Sequence, residues 1–337
     1  MYPRSRLKVK TMPFDLTAAV IKSLVLIAVL FTFAGYMTLL ERIVLARVQL
    51  RVGPIRVGPL GLLQPLADGI KLLTKERFQP AGVEKFTYWL APGISLFSAL
   101  FAFLLIPIGG VVTIAGHPVS LVIADINAGI VFFLAFSSLA VYGVVLAGWS
   151  SNSRYSLLGG LRGTAQMISY EIPMGISLLT VVMAAGTLRL SEIVEIQHQH
   201  HWFIWTQPIS FLIYLITAFA ETNRAPFDFP ESEQELTGGY HTEYGGMKFA
   251  VFFLGEYVNI LAVSGIAVTL FFGGWHGPWD LPVVWFLLKV AFFVLFFMLV
   301  RATLPRLRYD QLLAFGWKFL VPLAVINFVV TAFFILV

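Results

Sequence analysis

Residues 283–301 read Val-Val-Trp-Phe-Leu-Leu-Lys-Val-Ala-Phe-Phe-Val-Leu-Phe-Phe-Met-Leu-Val-Arg. Lys289 is the one charge inside this run. As a helix rising 1.5 Å per residue it measures about 28 Å, close to the ~30 Å hydrocarbon core of a bilayer. In lipid a backbone can satisfy its own N–H and C=O groups only as a helix or a closed barrel. Outward from this segment the same texture recurs at Leu16–Val44, Tyr88–Ile108, Ile126–Trp149, Leu161–Ala185, Phe203–Ala220, Lys248–Phe272 and Gly316–Val337. Of the 337 residues 58% are hydrophobic and 12% charged, against about 25% charged in soluble domains. The eight runs would place about 160 residues in hydrocarbon, which leaves no room for a soluble catalytic domain. The sequence predicts an all-α integral membrane protein of about eight transmembrane helices. It forms a single polytopic domain over residues 16–337, behind an N-terminal extension at 1–15.

Charge placement orients these spans. The odd-numbered loops (45–87, 150–160, 221–247 and 302–315) and the adjoining span ends carry Arg42, Arg47, Arg51, Arg56, Lys71, Lys75, Arg77, Lys85, Arg154, Arg162, Arg224, Lys248, Arg301, Arg306, Arg308 and Lys318. The even loops carry Arg189 alone. Such a lysine and arginine bias predicts that the odd loops are cytoplasmic. Arg4, Arg6, Lys8 and Lys10 disagree, because they precede span 1 on the side predicted to be external. Either the internal loops outvote them or translation begins at Met12. Span 1 is too long for a cleavable signal peptide.

The chain has no cysteine, which excludes disulfides and thiolate-held clusters or zinc on its own residues. It has neither a phosphate-binding loop nor a dinucleotide fingerprint. His198, His200 and His201 look like a metal tract but lack a defined ligand set, and no metal site is predicted.

Charges that enter the spans carry the functional signal. Glu171 lies in span 4 and Glu256 in span 6; Lys289 lies in span 7, and Glu221 closes span 5. A charge at mid-bilayer costs about 2.5–3.5 kcal/mol, so such residues usually face a bundle interior or a wet cavity. The plainer alternative is a buried structural pair or a side chain snorkelling to the interface. Carboxyl groups kept from water and close to one another can exchange protons near neutral pH, which makes Glu171, Glu221 and Glu256 candidates for a proton path.

Two loops add to this. The segment after span 5 carries Asp228, Glu231, Glu233, Glu235 and Glu243 against Arg224, with Phe227, Phe229, Leu236, Tyr240 and Tyr244 interleaved. The aromatic content predicts a packed polar cluster at the membrane surface instead of a solvated loop. After span 1, the basic, turn-rich stretch 47–59 precedes an amphipathic segment, Leu60–Arg77. There Leu62, Leu63, Leu66, Ile70 and Leu73 lie at near-helical spacing away from Asp68, Lys71 and Lys75. It predicts an interfacial helix of about eighteen residues, one that could frame a lateral doorway for a lipid-soluble ligand or simply anchor the surface.

Four stretches, Ala46–Glu76, Ala140–Pro173, Ala220–Tyr244 and Arg301–Leu323, together with Glu41-Arg42, closely resemble the H-subunit (subunit 1) family of proton-pumping NADH:quinone oxidoreductase, respiratory complex I. They run in family order and cover nearly the whole chain from about residue 16. The resemblance implies a subunit that joins the hydrophilic arm to the membrane arm, forms much of the quinone-access tunnel and opens a proton path toward antiporter-like subunits. It implies that Glu41, Arg42, Arg51, Asp68, Arg224 and Arg301 belong to the tunnel and its mouth. Asp228, Glu231, Glu233, Glu235 and Glu243 would form the coupling loop; Glu171, Glu221 and Glu256, joined by Lys289, would form the proton path. No residue here is expected to transfer electrons and no cofactor to bind this chain. Quinone is the implied substrate, with FMN and iron–sulfur clusters on partner subunits. The implied partners are the hydrophilic quinone-module subunits, small membrane subunits and antiporter-like subunits, in a bacterial inner membrane.

One position departs from some relatives. Where they have a carboxylate in span 3, this chain has Ser138, in the context Ser137-Ser138-Leu139-Ala140. A hydroxyl cannot hold a proton charge, so span 3 would need water or Tyr142, and the predicted path rests on spans 4, 5 and 6. Rival readings are the membrane subunit of an energy-converting hydrogenase or a ferredoxin-linked relative, an autonomous ion channel or transporter, and a purely structural anchor.

Overall fold

A computed structural model describes residues 16–336 apart from 77, 81, 115–116, 231–236 and 280. Among them the regular secondary structure is helical except for one small antiparallel hairpin, β1 (Val111–Ile114) and β2 (His117–Ser120), which pairs Val111 with Ser120. The helices are α1 (Leu16–Val48), α2 (Gln64–Thr74), α3 (Lys85–Leu104), α4 (Gly129–Ser150), α5 (Arg154–Ala185), α6 (Leu190–Gln199) and α7 (Phe203–Thr206). They continue with α8 (Pro208–Glu221), α9 (Met247–Phe271), α10 (Pro282–Thr303) and α11 (Tyr309–Leu336). Seven of these, α1, α3, α4, α5, α9, α10 and α11, are long and apolar enough to cross a membrane, with α8 a shorter apolar helix. The predicted membrane architecture is therefore present, with the fifth span altered.

That span was expected to run unbroken from Phe203 to Ala220. It breaks at Gln207 because Pro208 has no N–H to continue the helical ladder and instead starts a new helix from its first turn. The fourth span begins at Arg154, not Leu161. Gly159 and Gly160 look like loop residues but lie within α5. In α11 a π turn over Gly316–Leu320 precedes Pro322, an arrangement that accommodates a ring which would strike the carbonyl one turn back. The interfacial helix covers Gln64–Thr74, shorter than expected, because Pro59–Gly61 forms a separate turn with Leu60 at φ 54°. Helix α6 and the hairpin were not expected.

Packing puts α9 at the centre. In its most apolar window 78% of residues are buried, against 22% in α1 and α11, whose outer faces present Val20, Leu24, Val329 and Phe333 to the surroundings. Exposed tryptophans mark both ends of the bundle. Trp89, Trp149 and Trp317 lie at the end holding the basic loops, and Trp205 and Trp279 at the other, as expected of aromatic belts at two membrane interfaces.

Candidate functional site

At the basic end, α1, α9, α10 and the loop after α8 converge on Glu41. This carboxylate is 5% exposed. It accepts hydrogen bonds from Arg224 Nη1 at 3.2 Å, from the Tyr257 hydroxyl at 2.6 Å and from Arg301 Nη1. The Arg224 guanidinium also reaches Glu256 through Nη2 at 3.3 Å and lies over the Tyr257 ring, 4.6 Å from its centroid. Two acids and two arginines thus meet as a charge-balanced group, the form in which buried charges are tolerated. Next to it Met37, Ile260, Val294, Phe297 and Met298 line a narrow apolar cleft whose charged wall is Glu41, Arg224 and Arg301.

The other tunnel candidates sit nearby but apart. Arg42 pairs with Asp68 at 2.7 Å, and Gln64 and Lys71 approach the same carboxylate, so the end of α1 is fastened to α2. The apolar side chains of α2, Leu62 and Leu63 just before it and Leu66, Ile70 and Leu73 within it, are exposed, as the interfacial reading requires. Arg51 lies on the exposed loop between α1 and α2 and is not brought to the cluster.

Glu221 and Glu256 face a second, small cleft of about 30 Å³, shared with Ser95, Asn223, Tyr240 and Asn259. Glu221 is 2% exposed, and neither carboxyl oxygen has a hydrogen-bond partner among the described residues. Burial of an isolated charge costs several kcal/mol, on the order of the penalties measured when one partner of a buried pair is removed. A group left in this way must be neutral or hydrated by water in the cleft. Glu171 lies within electrostatic reach of Glu221, and its Oε1 meets the Ser138 hydroxyl. Ser138, the position where some relatives have a carboxylate, thus touches the α5 acid directly. Tyr142 is 60% exposed on the outer face.

Lys289 is elsewhere. Its ammonium donates to the carbonyls of Phe272, Gly274 and His276 and lies over the Trp202 ring. It caps the far end of α9, and the structure does not bring it to the acids.

The acidic loop is packed as expected where it is described. Phe227, Phe229, Tyr240 and Tyr244 are buried. Tyr244 stacks on Tyr88, whose hydroxyl donates to the Glu243 carbonyl at 2.6 Å. Burial pushes the Tyr244 phenol above its ordinary range. Gly159 and Gly163 of α5 make this packing possible: a Cβ at Gly159 would lie 2.7 Å from the Gly239 Cα, and one at Gly163 would lie 2.8 Å from the Pro230 Cγ. Asp228 is partly buried in this loop. Glu231, Glu233 and Glu235 lie outside the described residues.

On the opposite end His198 stacks on His276, with ring centroids 3.9 Å apart, and His276 pairs with Glu195 at 3.3 Å. That hydrogen bond holds the Glu195 carboxyl below its usual range. Among the described residues no group of three or more acids, histidines or cysteines could hold a metal ion. Sequence reasoning missed Tyr257 and Gln166. The signal for the first was its place beside Glu256; for the second, a lone amide in a glycine-rich span.

A family model described as NADH dehydrogenase matches residues 21–332. The NADH-quinone oxidoreductase H subunit of Protochlamydia amoebophila is 76% identical over 307 residues, 91% of this chain and 94% of the relative. The first of the H subunits of Geobacter metallireducens is 54% identical over 322 residues, covering 96% and 98%. The second of those of Geobacter sulfurreducens is 56% identical over 303 residues, covering 90% and 92%. With matches of this extent, and with helices of membrane-spanning length, the chain belongs to the NADH dehydrogenase family, as an integral membrane subunit of the NADH-quinone oxidoreductase kind.

Proposed function

We propose that this subunit forms the quinone-access tunnel and couples quinone reduction to proton movement through its buried carboxylates. The observation that carries this is the position of Arg224: one guanidinium holds both Glu41, beside the apolar cleft, and Glu256, on the second cleft with Glu221. The first cleft is only about 10 Å³ as it stands, and its apolar walls and charged rim supply the chemistry that an isoprenoid tail and a polar head would meet if it opened. Two electrons arriving from partner subunits and two protons convert a bound quinone to quinol. The change in charge at that head is felt by Arg301, Glu41 and Arg224. At ~4 Å and an effective dielectric near 20, a unit charge shifts a neighbour by ~4 kcal/mol. Glu221, which forms no ion pair among the described residues, is then the acid that exchanges its proton, and Glu171 with Ser138 continues the path.

In this reading the odd loops are cytoplasmic in a bacterial inner membrane. The acidic loop faces the hydrophilic quinone-module subunits, which carry the FMN and iron–sulfur chemistry, and the far end of the path meets small membrane and antiporter-like subunits. The names of the relatives, which include quinone, support this over the hydrogenase alternative. The test is Glu221→Gln in the reconstituted complex. Protons moved per electron should fall while quinone reduction persists; unchanged stoichiometry would overturn the assignment.

A further inference from the structure

Gln166, fully buried in α5, belongs to none of the groups above. Its Nε2 lies 2.8 Å from the Ala220 carbonyl oxygen, 2.7 Å from that of Phe227 and 3.4 Å from Asn223 Oδ1. An amide nitrogen has two hydrogens. Both are committed to carbonyls, and the Asn223 oxygen competes for one of them. Gln166 Oε1 is itself buried and has no partner among the described residues. An unmade buried hydrogen bond costs about 1–3 kcal/mol, and Gln166 bears that cost at Oε1 while its Nε2 serves two carbonyls from one chain segment.

The two carbonyls bracket residues 221–226. That strap carries Glu221 at its start and Arg224 in its middle, with Asn223 between them at φ 51°. Tying both ends to one amide removes the freedom of the strap to flex, and with it the independent motion of Glu221 and Arg224. Arg224 divides its guanidinium between Glu41 and Glu256. A strap that loosened would let Arg224 follow one carboxylate and leave the other.

We propose that Gln166 is a positioning residue for energy coupling. By closing the 221–226 strap it holds Arg224 across Glu41 and Glu256 while aiming Glu221 into the cleft, so that charge at one end of the site is transmitted to the other. This rests on the reading of Glu221 as a proton-path acid.

The experiment compares Gln166→Met, Gln166→Glu and Glu221→Gln in the reconstituted complex, measuring quinone reduction and protons moved per electron together. Methionine keeps the length of the side chain without the amide; glutamate keeps its shape with at most one hydrogen to donate. Both Gln166 variants should lower the proton-to-electron ratio by about twofold or more, while quinone reduction falls by less than the roughly tenfold loss expected when Arg224 itself is replaced. The methionine variant should be the more affected. An unchanged ratio in the Gln166 variants alongside a lowered ratio in Glu221→Gln overturns the positioning role alone. An unchanged ratio in all three overturns the proton-path reading and this inference with it. Activity lost at an unchanged ratio, or failure of both Gln166 variants to assemble, would make Gln166 a packing residue and overturn the proposal.

Discussion

Arg224 hydrogen-bonds Glu41 and forms an ion pair with Glu256, on two different helices, while its face rests on Tyr257. A lysine could keep the charge but not the planar fork that serves two acceptors and stacks on a ring. Arg224→Lys should therefore reduce NADH:quinone turnover by about tenfold or more in membranes where the complex is assembled. Turnover within about twofold of the parent would show that charge alone is enough there. Of the charged members of this site, Glu256 was legible because a charge inside a span is expensive in oil, whereas Glu41, Arg224 and Arg301 were marked by the resemblance of their stretches to the family. Gln166 and Tyr257 carried only weak signals, a lone amide in a glycine-rich span and a place beside Glu256, since a neutral amide or phenol costs far less in oil than a charge. Their importance comes from what they touch, Ala220, Phe227 and Glu41, residues far away in sequence.

Among the elements, the long apolar helices could be read from composition, and the interruptions only in part. Pro208 splits a span that hydropathy runs together, and Pro322 is the one mark in the sequence of the π turn before it. Lys289 shows the same limit in the placement of a charge. Inside a span it looks like a proton carrier, yet α10 places its ammonium on three carbonyls where α9 ends. Hydrogen bonds from a charged donor are worth about 1.5–3 kcal/mol each in net terms, so this residue anchors the central helix. Lys289→Met should lower the midpoint of thermal unfolding in detergent and leave the proton-to-electron ratio of surviving enzyme unchanged. A lowered ratio at unchanged thermal stability would return Lys289 to the proton path.

For the whole molecule, the candidate site lies at one end. Glu41, Arg224, Arg301 and the two clefts lie toward the basic loops, whereas the far end holds Arg189 paired with Asp125 and Glu192, and the His198–His276 stack. If lysine and arginine bias sets the orientation, the proposed quinone site faces the cytoplasm and the paired groups at the far end face away from it. The absence of cysteine makes this directly measurable, because a single introduced thiol is the only thiol on this chain. Cysteines at His201 or Trp279, both exposed at the far end, should react with a membrane-impermeant maleimide applied to intact spheroplasts. A cysteine at Arg308, exposed at the basic end, should react only in inverted vesicles. The reverse pattern would place the Glu41 cluster on the external side, where electrons delivered by a cytoplasmic arm could not reach a quinone bound beside it, and the proposed coupling would fail with the topology.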